Sequence, residues 1–219
     1  MGLSHSPKIV TNGLVLCLDA GNTKSYPGSG TTMTDLATPT RTVTIVGSPA
    51  FTSPYFTMDA DAKYISMSNS DLSHRTNDFT YSLWVKFAGG DSLDTLIENG
   101  SWTDTLLFRC QSNTLVVYAE GVYYGAFNWV RSTGVWYNVT LVRSSSTLSF
   151  YVNGVLTETP FALGADISLG ITTLWLMRSQ HSGGQNTLGD ISAFHVYNRA
   201  LSTTEILQNF TALRGRYGI

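Results

Sequence analysis

The side chains best suited to chemistry are four aromatics and a scatter of loop acids. Trp102, Tyr123, Tyr124 and Trp129 fall in one turn-rich stretch together with Glu120, Asn128 and Arg131. Aromatic faces beside planar polar groups are what a saccharide site needs, since the rings stack on the sugar and the polar groups bond its hydroxyls. Core or sheet-face packing would use the same aromatics. Asp91, Asp94 and Glu98, followed by Asn99, offer the carboxylate and amide oxygens that calcium takes, and Asp59 with Asp61 forms a second pair. Solvated loop acids are the plainer account of both sets.

Sets for nucleophilic or acid–base catalysis do not assemble. Glutamate occurs only at 98, 120, 158 and 205, and no Asp or Glu follows any of them two residues later. That spacing on a strand would bring two carboxylates to one face, as glycoside hydrolysis requires. Gly28-Ser-Gly30 is shorter than a Gly-x-Ser-x-Gly elbow. His5, His74, His181 and His195 show no paired zinc spacing, and His195 reads as a sheet residue within Phe194–Tyr197. Cys17 and Cys110 lie far apart in apolar runs and are expected as buried free thiols.

The elements that must position these residues are strands. In Trp136–Leu156, Val139, Leu141 and Arg143 alternate with Thr140 and Val142, and Leu148, Phe150 and Val152 alternate with Ser149 and Tyr151. A period of two predicts strands with one face on a core, and Asn153-Gly154 predicts a type I′ turn between the last two. Thr11–Ala20, Tyr55–Met58, Lys63–Met67, Phe79–Phe87, Leu96-Ile97, Thr105–Cys110, Thr114–Ala119, Tyr123–Phe127, Thr173–Arg178 and Gly189–Asn198 read as further strands. Arg41–Val46 and Pro49–Phe51 suggest a hairpin closed at Gly47-Ser48, and residues 21–40 read as loop. Trp84 and Trp136 are assigned to the core. One helix is expected at 202–213, with a Ser202/Glu205 capping box and Ile206, Leu207, Phe210 and Leu213 on its apolar face.

Only 13% of the residues are charged, against 42% hydrophobic and 12% aromatic, and the net charge is −2. The polar positions are Ser, Thr, Asn and Gly, which suits a hydrogen-bonding surface of the virion, secreted or lectin type better than that of a cytosolic enzyme. No basic cluster marks a nucleic-acid site; Arg214 and Arg216 read as a charged helix end. No apolar run reaches membrane-spanning length. Residues 1–12 lack the apolar segment of an export signal, so the glycosylation triplets at Asn99, Asn138 and Asn209 are expected to be incidental.

Four pieces in order carry a family resemblance: Phe56–Ile65 (FTMDADAKYI), Phe79–Lys86 (FTYSLWVK), Trp136–Leu156, and Leu188–Ser202 (LGDISAFHVYNRALS). Together they resemble the laminin G-like branch of the concanavalin A-like lectin/glucanase superfamily over about residues 50–212. The flanks, Pro7–Gly30 and Glu205–Ile219, resemble laminin G-like structural proteins of tailed phages, marine and cyanobacterial ones in particular. The resemblance implies an all-β jelly-roll sandwich of two antiparallel sheets with one short C-terminal helix. Glucanases of this superfamily carry a Glu-x-Asp-x-Glu strand, which this chain lacks.

The expectation is therefore an arm at residues 1–12 and a laminin G-like domain at 13–219. Its role would be non-enzymatic: a virion structural protein, decorating the capsid and contacting the major capsid protein through residues 21–40 or the termini. The alternative is a carbohydrate-binding adhesin that recognises host surface glycans. No cofactor is expected, calcium being the one the acids would admit. Neither nucleic acid nor membrane insertion is expected.

Overall fold

A computed structural model of the chain describes residues 7–70, 72, 74–89, 93–101, 104–164, 166–167, 173–179 and 186–219. In chain order the strands are β1 (Leu14–Asp19), β2 (Thr32–Met33), β3 (Val43–Val46), β4 (Ala50–Thr52), β5 (Tyr55–Met58), β6 (Tyr64–Ser68), β7 (Phe79–Phe87), β8 (Asp94–Ser101) and β9 (Asp104–Gln111). They continue as β10 (Thr114–Ala119), β11 (Val122–Asn128), β12 (Trp136–Ser144), β13 (Thr147–Val152), β14 (Val155–Leu156), β15 (Phe161–Ala162), β16 (Thr173–Leu176) and β17 (Gly189–Tyr197). Helix α1 (Thr203–Leu213) follows, and a single 3-10 turn spans Arg214–Tyr217.

The strands form two antiparallel sheets, the jelly-roll sandwich that the alternation predicts. Sheet A runs β14-β13-β12-β7-β17-β5-β4, with β1 on the second half of β17 and β15 on β13. Sheet B runs β11-β10-β9-β8-β16-β6-β3-β2. Between them lie Phe79, Tyr81, Leu83, Val85 and Phe87 of β7, facing Leu106, Phe108 and Cys110 of β9 and Leu115 and Val117 of β10. Tight turns set the register. Asn153-Gly154 has φ of 52° and 80°, as the type I′ turn requires, and Glu120-Gly121 between β10 and β11 has 51° and 72°.

Gly47-Ser48 differs from its expected role. Val43–Val46 pairs with β2 and β6 in sheet B, whereas Ala50–Thr52 pairs with β5 in sheet A. The positive-φ pair therefore carries the chain from one sheet to the other. A Cβ on Gly47 would lie 2.3 Å from the Ala62 carbonyl oxygen, so the crossing backbones need a glycine there.

Sheet A is covered on both faces, which explains why β17 is buried at every position. Helix α1 begins with the expected capping box: Ser202 accepts from the Glu205 amide, and Glu205 accepts from the Ser202 amide. Arg199 adds a bidentate ion pair that holds the Glu205 carboxyl down at about 2. The helix buries Ile206, Asn209 and Phe210, while Leu207 is exposed, so the apolar stripe is shifted from the one the spacing suggested. Trp84 and Trp136 belong to this layer and not to the inter-sheet core: Trp84 is buried with Phe210 and Ala193, and Trp136 packs partly buried beside them.

The described part of the N-terminal segment is tied to the same layer. Val10 donates its amide to Asn209 Oδ1 at 2.8 Å and accepts from the Tyr197 hydroxyl at 3.0 Å. Gln208 donates to the Lys8 carbonyl, and Arg199 to that of Asn12.

Candidate binding cleft on the outer face of sheet B

Alternation fixes which side chains leave the sandwich. On β10, Leu115, Val117 and Ala119 enter the core, so Thr114, Val116 and Tyr118 point outward. The β10–β11 register shifts between Val117 and Tyr118, and this irregularity sets Tyr118 opposite Tyr123. Their rings meet edge to face at 5.6 Å. Arg109 of β9 lies over the Tyr118 ring at 5.0 Å and donates Nη2 to its hydroxyl at 3.2 Å. Beside this pair an open cleft of about 570 Å³ is lined by Tyr118, Tyr123, Gln111, Ser112, Asn113 and Thr114. Further across the same face, Trp175 stands opposite Glu98 and Ser66, and Arg178 covers the Tyr64 ring at 4.2 Å.

The four aromatics singled out by the sequence do not come together. Tyr123 is 54% exposed and lines the cleft. Tyr124, one residue on, is partly buried and packs against the inter-sheet core, as period two dictates. Trp129 is a correction: at 7% exposure it sits among Phe87, Tyr137 and Phe150, at 5.8, 5.3 and 5.4 Å, and its faces cannot receive a sugar. Trp102 lies outside the described residues. Tyr118 was missed, although the alternation of Leu115, Val117 and Ala119 already pointed it outward.

The polar residues near them are committed elsewhere. Asn128 donates its backbone and side-chain N–H groups to Glu158, both at 2.7 Å, and these bonds hold the Glu158 carboxyl below its usual range. Arg131 donates to the Ser112 carbonyl at 2.6 Å, lies over the Phe87 ring, and forms a buried ion pair with Asp94. Glu120 is the first residue of a tight turn.

The calcium expectation fails on geometry for the acids that are described. Asp94 stands opposite core-facing Cys110 and is neutralised by Arg131, whereas Glu98 stands opposite Leu107. The register shift between Thr95 and Ile97 lets both Leu96 and Ile97 enter the core and sends the two carboxylates to opposite faces of β8. Asn99 is drawn inward: it donates to the Tyr81 hydroxyl at 2.9 Å and accepts from Asn69 at 2.5 Å. Asp91 lies outside the described residues. Asp59 pairs with Lys63 at 2.5 Å. Among the described residues, no group of three His, Cys, Asp or Glu side chains could hold a metal.

Cys17 and Cys110 are free and buried, and burial pushes both thiols up to about 12, so neither is a nucleophile at neutral pH. His74 and His195 are held neutral, burial lowering each to about 4. His5 and His181 lie outside the described residues.

The two-sheet sandwich with a cleft on an outer sheet face defines a lectin-like fold. The chain belongs to the concanavalin A-like lectin/glucanases superfamily, whose laminin G-type family model matches residues 59–207. No curated protein matches the sequence. Solved structures that it resembles include the receptor-binding domain of a botulinum neurotoxin C/D mosaic serotype, at a TM-score of 0.70 and 15% identity, covering 90% of this chain and 51% of that one. The ligand-binding domain of botulinum neurotoxin serotype D, solved with N-acetylneuraminic acid, gives 0.72 and 13%, covering 90% and 50%. The binding domain of botulinum neurotoxin DC, solved with rat synaptotagmin II, gives 0.69 and 17%, covering 92% and 52%. The chain thus spans about half the length of these structures. At such identities the likeness is one of fold.

Proposed function

We propose that the protein is a non-enzymatic carbohydrate-binding module whose site is the cleft on the outer face of sheet B. The observation that carries this reading is the exposed Tyr123 ring, set edge-on to Tyr118 and flanked by Gln111, Asn113 and Thr114. An aromatic face beside amides and hydroxyls suits a sugar, and such a site needs no catalytic group. The complex of one structural neighbour with N-acetylneuraminic acid supports a saccharide ligand for the fold. A glycan array followed by calorimetry tests the reading: Tyr123→Ala should abolish binding with an unchanged melting temperature. Equal binding by that variant removes the site.

Decoration of a virion is the second reading. Its support is the likeness of Pro7–Gly30 and Glu205–Ile219 to phage structural proteins, together with the low charge. Hydrogen bonds linking Lys8, Val10 and Asn12 to α1, Arg199 and Tyr197 hold the N-terminal segment on this domain, which moves the expected contact with a major capsid protein toward residues 21–40. Immunogold labelling of particles tests it; unlabelled particles would remove it. The comparisons favour the carbohydrate reading, because the structural neighbours are receptor- and ligand-binding domains.

A further inference from the structure

The opposite side of the sandwich holds a second cavity, of about 340 Å³, whose floor is β1 and β17 of sheet A. There Cys17 and His195 stand directly opposite each other, pointing away from the inter-sheet core that Leu16, Leu18, Phe194 and Val196 enter. Pro7, Ile9, Leu36, Ala212 and Leu213 supply apolar walls from three separate segments.

The polar groups of the floor are unequal. Asp19 is taken up: it pairs with Arg216 and accepts from the Gly21 amide. The Cys17 thiol is protonated and only weakly polar. His195 is 2% exposed, and its ring makes no hydrogen bond to any described residue. Its side chain lines the cavity, so a molecule held there lies against the ring. A buried imidazole left unsatisfied costs about 1–3 kcal/mol, and a neutral ring offers one donor and one acceptor.

We propose that this cavity binds a small neutral molecule with an apolar body and one hydroxyl, the hydroxyl hydrogen-bonded to His195. The volume suits such a molecule. An anion would meet Asp19 as well as Lys8 in the lining, and a metal ion would compete with Arg216 for Asp19. A pure hydrocarbon would leave His195 unsatisfied. The site lies on the other sheet from the cleft beside Tyr123, so it stands or falls independently of the carbohydrate reading.

The test uses the full chain, carbon- and nitrogen-labelled at histidine, titrated with 4-tert-butylphenol and with tert-butylbenzene. The phenol is expected to shift the His195 ring resonances and to bind about tenfold more tightly than the hydrocarbon. His195→Leu should abolish that preference. Ala212→Trp, and independently Leu36→Phe, should block binding with tyrosine-cleft ligands unaffected. Neither probe moving His195, or the phenol binding a folded wall variant as well as the native chain, overturns the proposal.

Discussion

Trp84 and Tyr217 lie against each other, their ring centroids 4.1 Å apart and their planes inclined by 21°. Phe210 stacks on Trp84 at 5.8 Å, and Trp136 meets Tyr217 at 4.7 Å. The Tyr217 hydroxyl donates to Ser192 Oγ at 2.7 Å, and Ser192 in turn donates to the Pro54 carbonyl. Two residues from the end of the chain, a tyrosine thus closes an aromatic layer over sheet A. The neighbouring Arg216 pairs with Asp19 of β1.

The C-terminal residues are consequently part of the folding unit. Tyr217→Ala should cost about 3 kcal/mol, in the range for removing an aromatic ring from a packed site. Removing residues 214–219 should cost more, since the Arg216 pair is lost as well. Urea unfolding measures the loss, and tryptophan emission should move to longer wavelength as Trp84 is uncovered. An unchanged midpoint for the truncated chain would show that the layer contributes nothing.

Tyr123 and Trp129 separate binding from stability. Tyr123→Ala removes an exposed ring and should leave stability within about 0.5 kcal/mol while abolishing sugar binding. Trp129→Ala empties a site between Phe87, Tyr137 and Phe150 and should cost about 3–5 kcal/mol. Thermal melts beside calorimetric titration distinguish the two; a stable Trp129→Ala protein with lost binding would reverse their roles.

Which features the sequence revealed follows from how local their causes are. Phe79–Phe87 is a strand with the expected bounds because its alternation is uninterrupted, and the Ser202 capping box is legible because its partners are three residues apart. Trp84 is a core residue as expected, but its core is the layer beneath α1: alternation sets it on the face opposite Leu83 and Val85, while the helix that covers that face is distant in sequence and leaves no mark within the strand. Proximity in sequence also misled: Tyr123, Tyr124 and Trp129 are close along the chain, yet alternation and a turn send them to different environments. Register irregularities, such as those that pair Tyr118 with Tyr123 and part Asp94 from Glu98, depend on hydrogen bonding across strands and leave no pattern within one.

The three glycosylation triplets fall on buried asparagines. Asn99 bonds Tyr81, Asn138 donates to Ser82 Oγ at 3.1 Å, and Asn209 joins the Val10 amide to the Tyr197 hydroxyl. Material produced in a glycosylating host should therefore show the unmodified mass once folded. Asn209→Ala should cost about 2 kcal/mol, because it leaves the buried Val10 amide without its acceptor. Mass spectrometry and denaturant unfolding check the two statements, and a glycan on any of these asparagines in the native protein would contradict the first.

Acid should destabilise the protein in a window set by two histidines. His74 is packed against Phe79, feels the charge of Arg143, and accepts at Nε2 from the Tyr81 hydroxyl at 2.8 Å, Tyr81 itself accepting from Asn99. His195 lines the second cavity and feels the opposed charges of Asp19 and Arg216. Burial lowers both rings to about 4, against 6.5 for an ordinary histidine. Below pH 6.5 the unfolded chain takes up protons that the folded chain refuses until about pH 4. Stability therefore falls through that interval, by roughly 3 kcal/mol for each histidine. Glu205 acts lower down: its carboxyl is held at about 2, so its contribution stays intact above pH 4.5 and is lost only as pH drops toward 2. Unfolding free energies measured between pH 7 and 4.5 thus report mainly the two histidines. His195→Leu should remove about half of the slope, and a native protein equally stable across that range would exclude both rings as its source.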